Sequence, residues 1–311
     1  MGGCSVMPRI VILMGGCSSE RDVSLRSGKA VAEAVRKSGY ELVEIDILRE
    51  ELPAGLDAAS DVVFPVLHGG FGENGELQAL LERASFSYVG CDSASSRLCM
   101  DKRRTKDAVG AVGVTLAKDI TLQSGHNLPS VDEIISELGS SIVAKPSGEG
   151  SSVGVAFIEG RDDLSEWLAK PRRGVWILEQ RIVGHELTCG ILGGYAMGIV
   201  EIAPASGVYD YASKYTLGST NYLVPAPLPE AQAEKVRLFS QLAFKACGCR
   251  DFARADFILP DGGEPVFLEI NTLPGMTATS LLPKSASCIG LTFESLVRKM
   301  LEPALVRFAR R

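Results

Sequence analysis

The chain has 311 residues, 46% of them hydrophobic and 23% charged, with a formal net charge of -6 and a pI near 5.3. That length and apolar content suffice for a substantial core spread over two or three subdomains, and they exclude a disordered chain. The acidic balance argues against broad electrostatic binding to nucleic acid or to an anionic membrane, and leaves open a local basic pocket for a phosphate-bearing small molecule.

Eight cysteines are scattered along the chain, and the close pair Cys247-Gly248-Cys249 lacks the two-residue gap of common zinc and redox motifs. They read as reduced, mostly buried thiols of a cytoplasmic protein. No apolar run approaches the length of a membrane span. The stretch Ile10 to Met14, ahead of Gly15-Gly16-Cys17, is too short for an export signal and reads as a first β-strand.

That strand runs into Gly15-Gly16-Cys17-Ser18-Ser19-Glu20-Arg21, and the helix after it carries Val31, Ala34 and Val35 on one face. Strands at Leu42 to Ile47 and Val62 to Leu67, with a helix around Leu77 to Arg83, predict a parallel α/β sheet. Ligands sit beyond the carboxyl ends of such strands, where both Gly-rich turns fall, residues 15–21 and 68–75. The first turn has neither the Gly-x-Gly-x-x-Gly spacing nor the Gly-Lys-Ser/Thr of a P-loop, so nothing there argues for a nucleotide. Glu20 either accepts hydrogen bonds at the start of the next helix or serves a ligand, and His68 is open in the same way.

One helix is expected from Ser93 through Val109, with most of the run Asp101-Lys102-Arg103-Arg104-Thr105-Lys106 on a solvated face and one lysine reaching a phosphate. A strand from Ser141 to Pro146 carries Lys145, followed by Ser147-Gly148-Glu149-Gly150-Ser151-Ser152 and a strand from Val153 to Ile158. Strand, small-residue loop, strand is either an ordinary hairpin or a flap whose backbone N–H groups approach phosphate oxygens, and the lysine favours phosphate. The strand Val175 to Ile182, with Glu186 beyond a turn at Gly184, can offer backbone groups to an adenine edge and a carboxylate to ribose hydroxyls. Residues 204–229, which include Tyr209-Asp210-Tyr211-Ala212-Ser213-Lys214-Tyr215, lack clear periodicity and read as an active-site lid or a surface loop. A helix is expected from Pro229 to Cys247, and a last one with Phe293, Leu296, Val297, Met300 and Leu301 on a core-facing stripe.

Between those two helices, strand-like runs Phe252 to Leu259 and Pro265 to Asn271 flank Asp261-Gly262-Gly263, a hairpin turn signal. With the turn centred between Gly262 and Gly263, Asp256 faces Glu269 and Arg254 faces Asn271, so alternation puts all four on one sheet face. A half-residue shift of the turn would break that arrangement. Two carboxylates and an amide oxygen, with no thiol or imidazole nearby, form a hard oxygen site suited to Mg²⁺; the alternative is a solvated face with an Arg/Asp pair.

Five separated segments, in order, resemble the D-alanine:D-alanine ligases of the ATP-grasp superfamily through nearly the whole chain. They are Gly15-Gly16-x-Ser18-x-Glu20-Arg21-x-Val23-Ser24, the His68-Gly69 turn, Lys145-Pro146-Ser147-x-Glu149-Gly150-Ser151-Ser152, Asp210-Tyr211-x-x-Lys214-Tyr215, and Glu269-Ile270-Asn271-Thr272-x-Pro274-Gly275-Met276-Thr277. The resemblance implies an α/β ATP-grasp fold: an N-terminal parallel α/β domain over 1–100, then two α+β subdomains, 101–183 and 184–311, that clasp ATP, the second bearing the lid 204–229. It implies ATP-dependent joining of two D-alanines through an acyl phosphate, for peptidoglycan precursors.

By the same resemblance, Asp256, Glu269 and Asn271 would bind two Mg²⁺ ions, with Mn²⁺ able to substitute, while Lys102, Lys145 and Lys214 would hold phosphates. The backbone of Glu179, Gln180, Arg181 and Ile182 would read adenine, Glu186 the ribose, and Ile258 and Leu268 would pack on the base. Glu20 would pair with the ammonium of the first D-alanine, linked through Ser151 to Tyr215, and the His68 turn would border the substrate. Arg254 and the N–H of Gly275 would stabilise the oxyanion, and Ser280 and Leu281 would receive the carboxylate of the second D-alanine. The family implies a cytoplasmic homodimer without nucleic-acid or membrane partners. Asn74 stands where Asp is common, Cys17 fills a variable position, and Gln180 and Arg181 depart from common hinge residues. The rival readings are a D-alanine:D-lactate ligase, against which Tyr215 argues, and a nucleotide-binding regulator without catalysis.

Overall fold

The structure is a computed structural model that describes residues 7–150, 153–204 and 220–310. Ser151, Lys214 and Tyr215, and most of the expected lid, lie outside the described residues.

The first sheet has four parallel strands in the order β2-β1-β3-β4: β1 (Arg9–Gly15), β2 (Leu42–Ile47), β3 (Asp61–Pro65) and β4 (Ser87–Tyr88). Because β1 is central and covered on both faces, Ile10, Val11, Ile12 and Leu13 are all fully buried. Val11 and Leu13 pack with Leu77 and Leu81 of α2 (Glu76–Arg83). Ile10 and Ile12 pack with Val31, Ala34 and Val35 of α1 (Arg21–Lys37), and also with Leu296, Val297 and Met300 from the far end of the chain.

Two helices replace the single one expected over 93–109: α3 (Ser93–Met100) and α4 (Lys102–Gly110). Asp101 breaks the run because it adopts an extended backbone and caps α4, its carboxylate accepting from the N–H groups of Arg103 and Arg104. The basic run is not a solvated face either. Lys106 is buried, Arg103 is half-buried between Asp107 and Asp119, and only Arg104 among its cations is exposed.

The second sheet is antiparallel, ordered β5-β8-β6-β7, with β5 (Asp119–Gln123), β6 (Ser141–Pro146), β7 (Ala156–Glu159) and β8 (Val175–Gln180). Helices α5 (Val131–Leu138), begun by the Ser130/Glu133 capping box, and α6 (Gly160–Ala169) cover one face through Ile134, Leu138 and Leu164. Strand β7 starts at Ala156 rather than Val153, and β8 stops at Gln180.

The third sheet is antiparallel, ordered β11-β10-β9-β12-β13: β9 (His185–Leu192), β10 (Tyr195–Pro204), β11 (Thr220–Leu223), β12 (Phe252–Leu259) and β13 (Val266–Asn271). Strand β11 pairs with β10, so residues 220–223 of the segment 204–229 are sheet rather than loop. Helix α7 (Glu230–Ala246) packs Val236, Phe239 and Ala243 against Leu187, Cys189, Ile191, Ala253, Ala255 and Phe257. Strand alternation then turns Glu186, Thr188, Arg254, Asp256 and Ile258 to the opposite face. The chain closes with α8 (Leu281–Ser287) and α9 (Phe293–Ala309), and α9 is the helix that returns to cover the first sheet.

Candidate active site

The β12/β13 register matches the sequence expectation, with Asp256 opposite Glu269 and Arg254 opposite Asn271. Next to the turn, however, Phe257 pairs with Phe267 and Ile258 with Val266, which is the half-residue shift expected to break the arrangement. A β-bulge between these two registers restores it by inserting Leu268 as an extra residue. Alternation is therefore interrupted. Phe267 and Ile270 enter the core, while Leu268 and Glu269, adjacent in sequence, both line cavities on the other face.

Asp256 is the hub of that face. Its Oδ1 accepts from Thr188 Oγ1 at 2.6 Å and Arg254 Nε at 2.9 Å, and its Oδ2 accepts from Arg254 Nη2 at 2.8 Å and Asn271 Nδ2 at 3.0 Å. Sequence reasoning missed Thr188, because only the pairing of β9 with β12 brings it opposite Asp256. Arg254 is fixed as a two-pronged fork on Asp256 rather than swinging freely.

Asp256, Glu269 and Asn271 present hard oxygen donors from one sheet face, the chemistry that suits Mg²⁺. Among the described residues no group of three or more His, Cys, Asp or Glu side chains is gathered for a metal. An Mg²⁺ held here would take two carboxylates and an amide from the protein, and its remaining oxygens would come from phosphate and water, as is usual for Mg²⁺ held with a nucleotide. The residues fit such an ion.

Two cavities open on this face. One, of about 400 Å³, is lined by Lys145, Glu179, Gln180, Arg181, Ile182, Glu186, Asp256, Ile258 and Leu268. The other, of about 840 Å³, is lined by Glu20, His68, Asn271, Gly275, Ser280 and Leu281. Lys102, Arg254 and Glu269 line both and form their junction. Every site residue expected from the sequence and lying within the described residues thus borders one cavity or the other.

The smaller cavity rests on a buried ion network. Glu179 lies between Lys145, 2.8 Å from its Oε2, and Lys106, 2.8 Å from its Oε1, and Lys106 also sits 2.8 Å from Asp119 Oδ1. Burial pushes the Glu179 carboxyl up, but Lys145 and Lys106 outweigh it and hold the group below its ordinary value. Lys106 is the second residue that sequence reasoning missed; the signal available was its place four residues after Lys102, on the same helix face. Lys102 Nζ donates to Glu149 O at 2.5 Å and lies 3.5 Å from Glu269 Oε2. At the hinge, the N–H groups of Gln180 and Arg181 are already donated to Lys118 O and Ser141 O. The Arg181 side chain is drawn away to Glu159 and the Phe157 ring. At the cavity edge, His185 is bonded through Nδ1 to Glu201 at 2.6 Å, which raises its pKa.

The larger cavity is built where the two Gly-rich turns meet the segment after β13. Ser18 Oγ donates to His68 O at 2.6 Å. Gly69 has φ +69°, a conformation that favours glycine, and a Cβ there would crowd Glu20 Oε2 at 3.1 Å. Glu20 precedes α1 but makes no side-chain cap to it, which removes the capping explanation and leaves a buried carboxylate at the cavity wall. His68 is buried with Nδ1 3.1 Å from Leu273 O and Nε2 3.4 Å from Ser27 Oγ, and Ser27 Oγ accepts from Met276 N–H. His68 is thus a satisfied histidine that ties the first sheet to the loop carrying Gly275. Asn74 Oδ1 accepts from Glu76 N–H at 2.9 Å, a bond the carboxylate of Asp would also make, so the His68 turn is intact. Ser280 Oγ accepts from Thr277 N–H at 3.0 Å, and a Cβ on Gly275 would come within 2.9 Å of it.

Comparison with known proteins agrees with this geometry. Family models described as the D-ala D-ala ligase N-terminus and C-terminus match residues 48–91 and 111–302. A D-alanine--D-alanine ligase of Syntrophotalea carbinolica is 40% identical over 305 residues, covering 96% of this chain and 97% of the relative. The crystal structure of a D-alanine--D-alanine ligase from Bacillus anthracis superposes with a TM-score of 0.84 at 33% identity, covering 97% of this chain and 99% of that one. Its complex with ATP gives 0.81 at 31%, with the same coverage. The VanG D-Ala:D-Ser ligase of Enterococcus faecalis gives 0.83 at 31% identity, over 96% and 99% of the two chains. A parallel sheet followed by two antiparallel sheets facing a shared cleft is the ATP-grasp arrangement, and on these matches the chain belongs to the D-alanine--D-alanine ligase family.

Proposed function

We propose that this protein joins two D-alanines to D-alanyl-D-alanine at the expense of ATP, through an acyl phosphate, as a supplier of peptidoglycan precursors. The observation that carries this reading is the junction of two cavities, one with lysines and a hinge strand, the other with a carboxylate, a guanidinium and a Ser/Gly turn, at Lys102, Arg254 and Glu269.

In the smaller cavity, the carbonyls of the Glu179–Ile182 run and the Ile182 N–H face the adenine edge, because the N–H groups of Gln180 and Arg181 already have partners. Glu186 takes the ribose hydroxyls, and Ile258 and Leu268 pack on the base. Lys145 and Lys102, with Lys214 from the segment 204–229 that acts as lid, hold phosphate oxygens. Asp256, Glu269 and Asn271 would hold two Mg²⁺ ions, or Mn²⁺ in their place, and a bound ion supplies charge neutralisation on the transferring phosphate. In the larger cavity Glu20 pairs with the ammonium of the first D-alanine and orients its carboxylate for phosphorylation. The His68 turn holds the wall behind it, and Ser151 and Tyr215 belong to the same network in this reading. The amine of the second D-alanine, placed by Ser280 and Leu281 through its carboxylate, attacks the acyl phosphate. Arg254 and the Gly275 N–H stabilise the tetrahedral oxyanion that forms; its collapse breaks the bond from the acyl carbon to the phosphate oxygen, phosphate leaves, and the nitrogen gives up a proton to solvent.

This reading divides the chain at 1–100, 101–183 and 184–311 and places it in the cytoplasm as a homodimer. The reduced state of the seven described cysteines is consistent with a reducing compartment. Among the described residues no helix is long and apolar enough to cross a membrane. Phosphate release from ATP and Mg²⁺ with and without D-alanine tests the activity; release that D-alanine does not increase would contradict it, and ATP binding with no release at all would favour a non-catalytic nucleotide binder. The VanG likeness makes D-serine the competing acceptor to set beside D-lactate, and the identity of the product separates all three.

A further inference from the structure

Four thiols that the ligation chemistry does not use gather where α3 meets the turn after α7. Cys99 Sγ lies 3.7 Å from Cys249 Sγ. Cys247 and Cys91 adjoin the same pair, Cys91 with its thiol directed to the carbonyls of Arg250 and Phe252. The four are not alike: Cys91, Cys99 and Cys247 are buried, while Cys249 is partly exposed. Cys249 is also the thiol with the most polar surroundings. Cys91 and Cys99 beside it, together with Ser95 Oγ, which donates to Cys249 Sγ at 3.5 Å, favour the thiolate and lower its pKa. Cys99 lines the larger cavity and stands three residues before Lys102.

We propose that Cys249 and Cys99 form a hydroperoxide-reactive pair, Cys249 as the attacked thiol and Cys99 as its resolving partner, whose closure to a disulfide displaces the segment that carries Lys102. The Cys249 thiolate attacks one oxygen of the peroxide, the O–O bond breaks, and hydroxide leaves, giving a sulfenic acid. The Cys99 sulfur attacks that sulfur, the S–S bond forms and the S–O bond breaks. The departing hydroxide takes the Cys99 proton as water, so two thiols and one peroxide become a disulfide and two waters. Closing the pair from 3.7 Å to about 2.05 Å moves the end of α3 or the facing turn by more than an ångström. Lys102 opens α4, separated from that end of α3 by Asp101 alone, and its 3.5 Å approach to Glu269 is disturbed by such a shift.

The test is to treat the reduced full-length protein with hydrogen peroxide, map the peptides by mass spectrometry, and assay ligase turnover in parallel. The expected result is a linked Cys99/Cys249 peptide lighter by two hydrogens, two fewer titratable thiols than the eight in the sequence, and turnover that falls as the bridge forms and returns with dithiothreitol. Cys249→Ser keeps its basal turnover and resists the same dose. In Cys99→Ser the sulfenic acid of Cys249 persists and is trapped by dimedone. Exposed Cys17 serves as the internal control, oxidising alike in the wild type and both variants. No linked peptide, or oxidation of Cys99 before Cys249, overturns the pair. A bridge that forms with turnover unchanged overturns its coupling to Lys102. The peptide map of the wild type decides the first point even if a variant folds poorly.

Discussion

Lys106→Met probes the buried network under the smaller cavity, where the proposed function seats ATP. Lys106 is 3% exposed, and its Nζ contacts Asp119, Glu179 and, at 3.1 Å, Ala117 O. Methionine keeps an unbranched stem and removes the charge with its three donors. Asp119 retains Arg103 at 3.0 Å and Glu179 retains Lys145 at 2.8 Å, so neither carboxylate is stranded. The stability loss should therefore lie at the low end of that for a broken buried pair, about 3 kcal/mol. The same change leaves the whole charge of Glu179 to Lys145, which draws that ammonium towards the carboxylate and away from phosphate. A loss of about 1.4 kcal/mol in phosphate binding, near the low end for one charge-assisted hydrogen bond, raises the KM for ATP about tenfold. Urea unfolding measures the first effect, and ATP titration at saturating D-alanine the second. Glu179→Gln in the same background should show coupling of about 1 kcal/mol or more between the two positions. A variant that loses stability with an unchanged KM would refute the electrostatic link to Lys145, and one that loses neither would refute the network itself.

Glu269→Gln removes the carboxylate at the cavity junction and should nearly abolish turnover while leaving the fold intact; a wild-type rate would end its assigned role. Gly275→Ala forces Ser280 Oγ out of a 2.9 Å contact, so the KM for the second D-alanine should rise several-fold with little change in melting temperature, and an unchanged KM would separate Gly275 from the acceptor site. His185, paired with Glu201, should titrate above 6.5 by NMR; its stabilising contribution is fully present below 6.5 and is lost as pH rises through the higher folded value. Glu201→Gln should bring the titration back towards 6.5, and no movement would mean the pair is not the cause. Glu179 has the opposite sign. Its pKa is depressed below 4.5, so its contribution is present above 4.5 and disappears as pH falls through the folded value, and Glu179→Gln should flatten that acid limb of the unfolding curve.

The shared face of the β12/β13 hairpin was legible because its charged residues stand at period two on strands joined by Asp261-Gly262-Gly263, in a register that holds at Asp256 and Glu269. The bulge at Leu268 was not, since nothing local marks an extra residue whose effect is to let Leu268 and Glu269 point the same way. Secondary structure failed where one side chain overrode the local pattern: Asp101 reads as one more charge on a helix until its carboxylate is seen capping the next one. Lys106 read as solvated because burial of a lysine depends on Asp119 and Glu179, both distant in sequence and brought near by β5 and β8. The same holds for Thr188 opposite Asp256, and for α9, which crosses the chain to cover the first sheet. Residue types and their order reached the site. Long-range pairing determined which of them touch.

Ligation through an acyl phosphate is the central claim, and it has a direct test. D-alanine labelled with heavy oxygen in its carboxylate is incubated with the protein, ATP and Mg²⁺, and both products are examined by mass spectrometry. The account predicts D-alanyl-D-alanine together with phosphate that carries one labelled oxygen per dipeptide formed. Dipeptide with unlabelled phosphate would contradict the acyl phosphate, and no dipeptide at all would contradict the ligase.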